Sequence, residues 1–315
     1  MTPELKNRLT LLAKGTVTLI LLGVSLRLVR FDLLTDHLRD IRWFPLTVSA
    51  LLLTLGGFAG AGSWFCILRM RLPSLSFRET AACHWSGMFF NTFLPSNVGG
   101  DVVKGYIVAR DRGQPGFVVT SLLLDRALNL GLLCCIGLFA LLLRLGRTGW
   151  AAAFLAALGL LLMGSLVLAR RLADRVRHWP RAGLQGRLAL LLEPVFDLMA
   201  APRRFAPMLL AALVSQFLKI WHNVFVLQAL GLELPDLCVW YVIPLFGLVS
   251  ALPVSIGGLG LRETVASRIA AQLGSDSTHL VLFSLAGYVM VTLVNMLGVI
   301  PFLFARRSGR VGSTD

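Results

Sequence analysis

Acidic side chains are scarce in this chain, with 16 Asp and Glu against 30 Lys and Arg, and charged residues of either sign make up only 15% of it. Water-soluble domains carry about a quarter of their residues as charges, so a solvated globular surface is excluded for most of the sequence. Cysteine is sparse as well. Cys66, Cys83, Cys134, Cys135 and Cys238 form no C-x-x-C pair and mostly sit in apolar segments. That excludes a dithiol redox centre and leaves buried thiols. His37, His84, His178, His222 and His279 share no ligand spacing, so neither a metal nor another cofactor is expected. No nucleophile–base pair stands out, and "GGLGLRE" has neither the spacing nor the βαβ setting of a phosphate-binding or dinucleotide loop. Enzymatic activity is therefore not the expectation.

Apolar residues are what the chain has in quantity: 56% of its 315 residues are hydrophobic, with mean hydropathy +0.76. Bilayer-spanning helices follow, each needing about 20 apolar residues. Six runs qualify: 11–29, 46–68, 118–143, 150–169, 206–230 and 279–304. The first has no A-x-A-like cleavage site and is read as a retained span, not a removable signal. The net charge of +14 would suggest nucleic acid in a soluble protein. Here the basic residues gather between the spans, as the positive-inside rule describes, and no nucleic-acid partner is expected.

The basic clusters orient the chain. Lys6, Arg8 and Lys14, then Arg69, Arg71 and Arg78, Arg110 and Arg112, the arginines of 170–187, and Arg306, Arg307 and Arg310 all fall on one side if both termini are cytoplasmic. Glu233, Asp236 and Asp276 fall on the other, while Arg144 and Arg147 are the exception. The stretch 170–204 reads either as an amphipathic cytoplasmic linker on the anionic leaflet surface or as a solvated connection between two halves.

Two apolar pieces, 80–109 and 238–273, are too long for one span and are broken in the middle, at "LPSNVGGDVVKG" and "LPVSIGGLGLRE". At one constant offset Pro95 matches Pro253, Asn97 matches Ser255, Gly99 and Gly100 match Gly257 and Gly258, and Lys104 matches Arg262. The repeated unit is span, re-entrant hairpin, span. It occurs as 46–143 and again, inverted, as 206–304. Inverted repeats with broken helices are characteristic of alternating-access transporters. Proline ends the first arm and glycine permits the tight tip. Each second arm then begins at mid-membrane, so its N–H groups and its dipole favour an anion, to which Lys104 and Arg262 add full charge. Asp101 and Glu263 either neutralise those cations or leave them for a ligand.

Span interiors hold further polar groups. Asp125, Arg126 and Asn129 lie in the third span, and Asn295 lies in the sixth. Ser215, Gln216, Lys219, His222 and Asn223 form a stripe on the fifth, centred on Lys219. Such a stripe either lines a hydrated pathway or pairs with Asp101 or Asp125. By contrast "GGFAGAG" at 56–62 fits close helix packing.

"NTFLPSNVGGDVVKGYIVAR", "LLDRALNL" and "LPVSIGGLGLRE" together resemble the lysylphosphatidylglycerol synthase transmembrane-region family, also called flippase-like membrane proteins. The resemblance implies handling of a lipid or lipid-linked substrate. It points to Pro95, Asn97, Gly99, Gly100, Asp101, Lys104, Asp125, Arg126, Pro253, Gly257, Gly258, Gly260, Arg262 and Glu263. The 315 residues contain no soluble aminoacyltransferase domain, so synthesis is not implied.

The sequence thus predicts one integral membrane domain over 1–315, all-α and polytopic, with about six spans and two re-entrant hairpins, in the cell inner membrane. The expected function is lipid translocation, with a phosphate held at the paired tips. Asn97, Gly99, Gly100, Asp101, Lys104, Asp125, Arg126, Lys219, His222, Ser255, Gly257, Gly258, Arg262 and Glu263 are its candidate substrate-binding residues. The alternative is an accessory or transferase component of aminoacyl or glycosyl head-group modification. Membrane lipids are the expected partners, beside room for a separate synthase or glycosyltransferase.

Overall fold

A computed structural model describes residues 41–93, 99–178, 183–235, 237–251, 260–273 and 277–308. The first expected span, 11–29, lies outside them. Regular structure among the described residues is helical throughout. In chain order the helices are α1 (Trp43–Leu68), α2 (Phe77–Phe93), α3 (Gly99–Arg112), α4 (Pro115–Arg144), α5 (Thr148–Arg177) and α6 (Gly183–Ala200). They continue as α7 (Pro202–Ala229), α8 (Cys238–Ala251), α9 (Leu261–Leu273), α10 (Ser277–Asn295) and, after a 3-10 turn at Met296–Gly298, α11 (Val299–Ser308).

Five of these are long and apolar enough to cross a membrane: Trp43–Leu68, Pro115–Arg144, Thr148–Ala169, Arg203–Ala229 and Ser277–Leu303. They coincide with the second to sixth expected spans. Leu123, Leu138 and Leu141 of α4 and Leu155, Leu160, Leu161 and Met163 of α5 are exposed. A band of aliphatic surface this continuous fits hydrocarbon and not water.

The spans stop where the chain supplies a stop. At the end of α4, Gly146 takes φ 68°. Its N–H bonds Leu143 O, and the Arg147 N–H bonds Leu142 O. The end of α7 repeats the device, with Gly231 at φ 62° and the Leu232 N–H on Leu227 O. Both are Schellman caps, whose left-handed residue carries no Cβ penalty when it is glycine. The start of α4 uses Pro115 in its first turn, where the missing N–H costs nothing.

α1 and α7 run antiparallel in close contact along their lengths. Ser49 meets His222 at one end, the Ser215 hydroxyl donates to Gly56 O at 2.8 Å in the middle, and Gly62 faces Ala211 beyond. Small residues let the backbones approach, so the 56–62 stretch packs as its composition suggests.

α2 and α3 form an antiparallel helical hairpin. Near its closed end Asn91 touches Gly100, midway Gly87 faces Lys104, and at its base Arg112 pairs with Glu79. Ser76 and Glu79 begin α2 as a capping box, with the Ser76 N–H on the Glu79 carboxylate at 2.8 Å and the Glu79 N–H on Ser76 Oγ at 3.3 Å. α8 and α9 pack at the opposite end, beside the Leu230 cap. Leu232, Cys238, Ile269, Ala270 and Leu280 share one apolar cluster there. α2 and α3 have 17 and 14 residues, and α8 and α9 have 14 and 13. At 1.5 Å per residue all four fall short of about 30 Å of hydrocarbon.

α8 and α2 each lean on a span distant in sequence. Pro244 of α8 meets Gly137 of α4, and Leu133 meets Gly247. The Trp85 carbonyl of α2 meets Gly298 between α10 and α11. α6 packs on α5 and α4, and Glu193 pairs with Arg71 at 3.2 Å. The stretch 170–204 is accordingly helical for most of its length.

Candidate functional site

Burying a charge without a partner is costly, so the partners of each interior cation decide what it is available to do. Lys104 is 5% exposed. Its Nζ lies 3.1 Å from Asp101 Oδ1, 3.6 Å from Asp125 Oδ2 and 4.8 Å from the centre of the Trp64 ring. The Trp64 indole is itself fixed by donating to Ser121 Oγ at 3.1 Å. Asp101 holds a second cation, Arg126, at 3.0 Å. Lys104, Arg126, Asp101 and Asp125 therefore form one charge-balanced cluster. Its cations are occupied.

Arg262 is placed differently. No carboxylate lies within ion-pair distance among the described residues. The guanidinium stacks over Phe246, 5.3 Å from the ring centre, and Tyr288, at 5.9 Å. Its hydrogen bond among the described residues, Nη2 to Ser284 O, is long at 3.4 Å, and its buried Nε has no partner among them. Glu263 is fully buried and points elsewhere. It accepts the Gly260 N–H at 2.7 Å and the Ser284 hydroxyl at 3.0 Å, serving the start of α9.

Two adjoining cavities lie between the half-length helices and the spans. The larger, about 350 Å³, has Lys219 and Arg262 in its wall, no Asp or Glu among the described residues, and the uncharged groups Asn91, Thr92, Asn223, Tyr288, Thr292 and Asn295. The smaller, about 280 Å³, takes in the Lys104 cluster together with His84 and Asn129. Met88, Asn91, Gln216, Lys219 and Gly247 belong to both walls. Lys219 stands halfway along α7 and packs its stem against Gly56, halfway along α1. It forms no contact ion pair among the described residues, although Asp125 acts on it across the smaller cavity, so the two cavities meet at an ammonium near the middle of the spans.

Of the residues singled out from sequence, Asp101, Lys104, Asp125, Arg126 and Lys219 come together around the smaller cavity, and Lys219, His222 and Arg262 around the larger. His222 is spoken for on both ring nitrogens, by Ser49 at 3.2 Å and Asn223 at 2.8 Å. It braces α1 against α7. Gly99 and Gly100 open α3, but the Gly100 N–H already donates to Asn91 Oδ1 at 2.7 Å. With Gly260 held by Glu263, the described N–H groups at both second arms are partly taken by their own hairpins. Asn97, Ser255, Gly257 and Gly258, with Pro95 and Pro253, lie outside the described residues.

Sequence reasoning left Asn91, Tyr288 and Asn295 out of the site. Asn91 opens the broken-helix motif itself, which was its only signal. Tyr288 and Asn295 sit in an apolar span, with nothing local to mark which face meets the hairpin. Gln216 and Asn129 were visible as span polars, but their mutual hydrogen bond of 2.9 Å joins residues far apart in the chain.

A model of the lysylphosphatidylglycerol synthase TM region family matches residues 11–298. No curated protein and no solved structure matches the chain.

Proposed function

Because the chain belongs to the lysylphosphatidylglycerol synthase TM region family, we propose that it is a lipid translocase that carries an anionic head group through its interior while the acyl tails stay in the bilayer. The observation that carries this reading is the larger cavity, where Lys219 and Arg262 face a common space whose described wall holds no carboxylate. A merely structural pair of buried cations would be expected to hold acids, as Lys104 does. Unneutralised charge at mid-span is costly and marks a pathway.

In this reading α1–α4 and α7–α10 are inverted repeats, each a span, a re-entrant hairpin and a span. The antiparallel α1–α7 contact and the exchanged contacts of α8 on α4 and α2 on the α10–α11 junction are what a two-fold axis in the membrane plane would generate. The hairpins enter from opposite faces, and rocking one repeat against the other would open the cavity to each leaflet in turn. In this reading the basic ends and the positive-inside rule put both termini and 170–204 on the cytoplasmic side of the cell inner membrane. A separate lipid-modifying synthase or glycosyltransferase would supply or consume the lipid. A transferase reading needs a free general base. Asp101 is tied to Lys104 and Arg126, and Glu263 to Gly260 and Ser284, which favours transport.

The test is reconstitution into liposomes with a head-group-anionic phospholipid labelled on one acyl chain, followed by chemical quenching from outside. Protein-containing vesicles should lose nearly all fluorescence. Loss of the outer-leaflet half alone, as in protein-free vesicles, would refute translocation.

A further inference from the structure

The cavity chemistry also bears on which head group fits. Resting on the translocase reading for the claim that its ligand is a lipid, we infer that the larger cavity takes a phosphodiester bearing an uncharged, hydroxyl-rich substituent, and discriminates against the same head group once it carries an ammonium.

The first ground is charge. Lys219 and Arg262 face the cavity, no described carboxylate lines its wall, and the acids that act on them electrostatically, Asp125 and Glu263, lie outside it. Asp101 and Asp125 serve Lys104, with Arg126 also on Asp101, and Glu263 serves the α9 N-terminus. A phosphate would bring the charge the site lacks. An added amine would bring a third cation to a place with no described acid to receive it, and like charges desolvated together are strongly disfavoured.

The second ground is an orphaned acceptor. Asn295 is 9% exposed and lines the cavity. Its Nδ2 donates weakly to Thr92 Oγ1 at 3.4 Å, while its buried Oδ1 has no partner among the described residues. Buried acceptors are nearly always satisfied, and a carbonyl oxygen cannot bind phosphate. It can accept from a hydroxyl. Across the same wall Arg262 Nε is likewise buried and without a partner among the described residues, and it can donate to a phosphate oxygen. One donor and one acceptor left open in one cavity describe a ligand with a phosphate at one side and a hydroxyl at the other. Tyr288 and Thr292 extend the uncharged wall.

The experiment is competitive lipid binding to the purified full chain in nanodiscs of phosphatidylcholine, read by native mass spectrometry. Phosphatidylglycerol supplies phosphate and hydroxyls, phosphatidic acid supplies phosphate alone, and lysyl-phosphatidylglycerol adds the ammonium groups. Phosphatidylglycerol should bind best, exceeding the lysylated form by at least about tenfold, and Asn295→Ala should narrow its lead over phosphatidic acid. Equal or tighter binding of the lysylated lipid, parity between phosphatidylglycerol and phosphatidic acid, or no enrichment over phosphatidylcholine would overturn the inference. The translocase reading fails separately, through vesicles that bind lipid with this preference but do not move it.

Discussion

Arg262 and Glu263 are adjacent in sequence yet form no ion pair, because Glu263 turns back to the Gly260 N–H while Arg262 stacks on Phe246. Their substitutions should separate cleanly. Glu263→Ala strands a buried N–H and the Ser284 hydroxyl, and should destabilise the protein by about 1–3 kcal/mol, visible as a lowered unfolding temperature. Arg262→Gln should leave that temperature nearly unchanged and weaken anionic-lipid binding by about 10- to 100-fold, the scale of a charged hydrogen bond. The opposite assignment would mean that Arg262 holds the fold and Glu263 faces the ligand.

Lys104 should behave as a structural cation. Lys104→Gln leaves Asp101 and Asp125 without their shared partner, at a cost of about 3–5 kcal/mol. The double variant Lys104→Gln/Asp125→Asn should recover part of that loss, because the two residues are directly coupled. Thermal unfolding of the single and double variants reads the coupling, and strict additivity would contradict it.

Close backbone approaches set a third expectation. A Cβ on Gly100 would lie 1.9 Å from Gly87 O, and one on Gly298 would lie 2.0 Å from Trp85 O. Gly100→Ala and Gly298→Ala should each prevent accumulation of folded protein. Gly159→Ala on α5, where nothing lies within 4 Å, should be neutral or slightly stabilising. Size-exclusion profiles after expression distinguish the three.

Opposed hairpins make a topological prediction. On a cysteine-free background, Arg110→Cys at the base of the first hairpin should react with an impermeant thiol reagent from the cytoplasmic side. Gln272→Cys near the base of the second should react from outside, as should Glu233→Cys. Labelling of positions 110 and 272 from the same side would contradict the inverted arrangement.

The spans were legible because bilayer crossing imposes length and hydropathy on contiguous residues, so 118–143 was readable before α4 was seen. The division of 80–109 and 238–273 into half-length helices was legible through the prolines and glycines in their middles. The division of labour among charges was not. Lys104 and Arg262 occupy equivalent places in the two motifs, and the local difference, Asp101 three residues before Lys104 where Leu259 precedes Arg262, does not settle how the other charges divide. The difference comes from Asp125, on another helix, which joins Asp101 around Lys104, and from Ser284, which draws Glu263 away from Arg262. The role of Asn295 depends on Thr92, two hundred residues earlier. Side-chain partners across a helix bundle leave no periodic trace in either segment.

The account rests most directly on the charge at the centre of the pathway. Anionic-lipid translocation should therefore be timed in proteoliposomes containing either the wild-type chain or Lys219→Gln/Arg262→Gln, at matched insertion. The wild type should equilibrate the lipid between leaflets, and the double variant should be slower by at least about a hundredfold, the combined loss of two charged contacts. A double variant that moves the lipid at the wild-type rate would contradict the account.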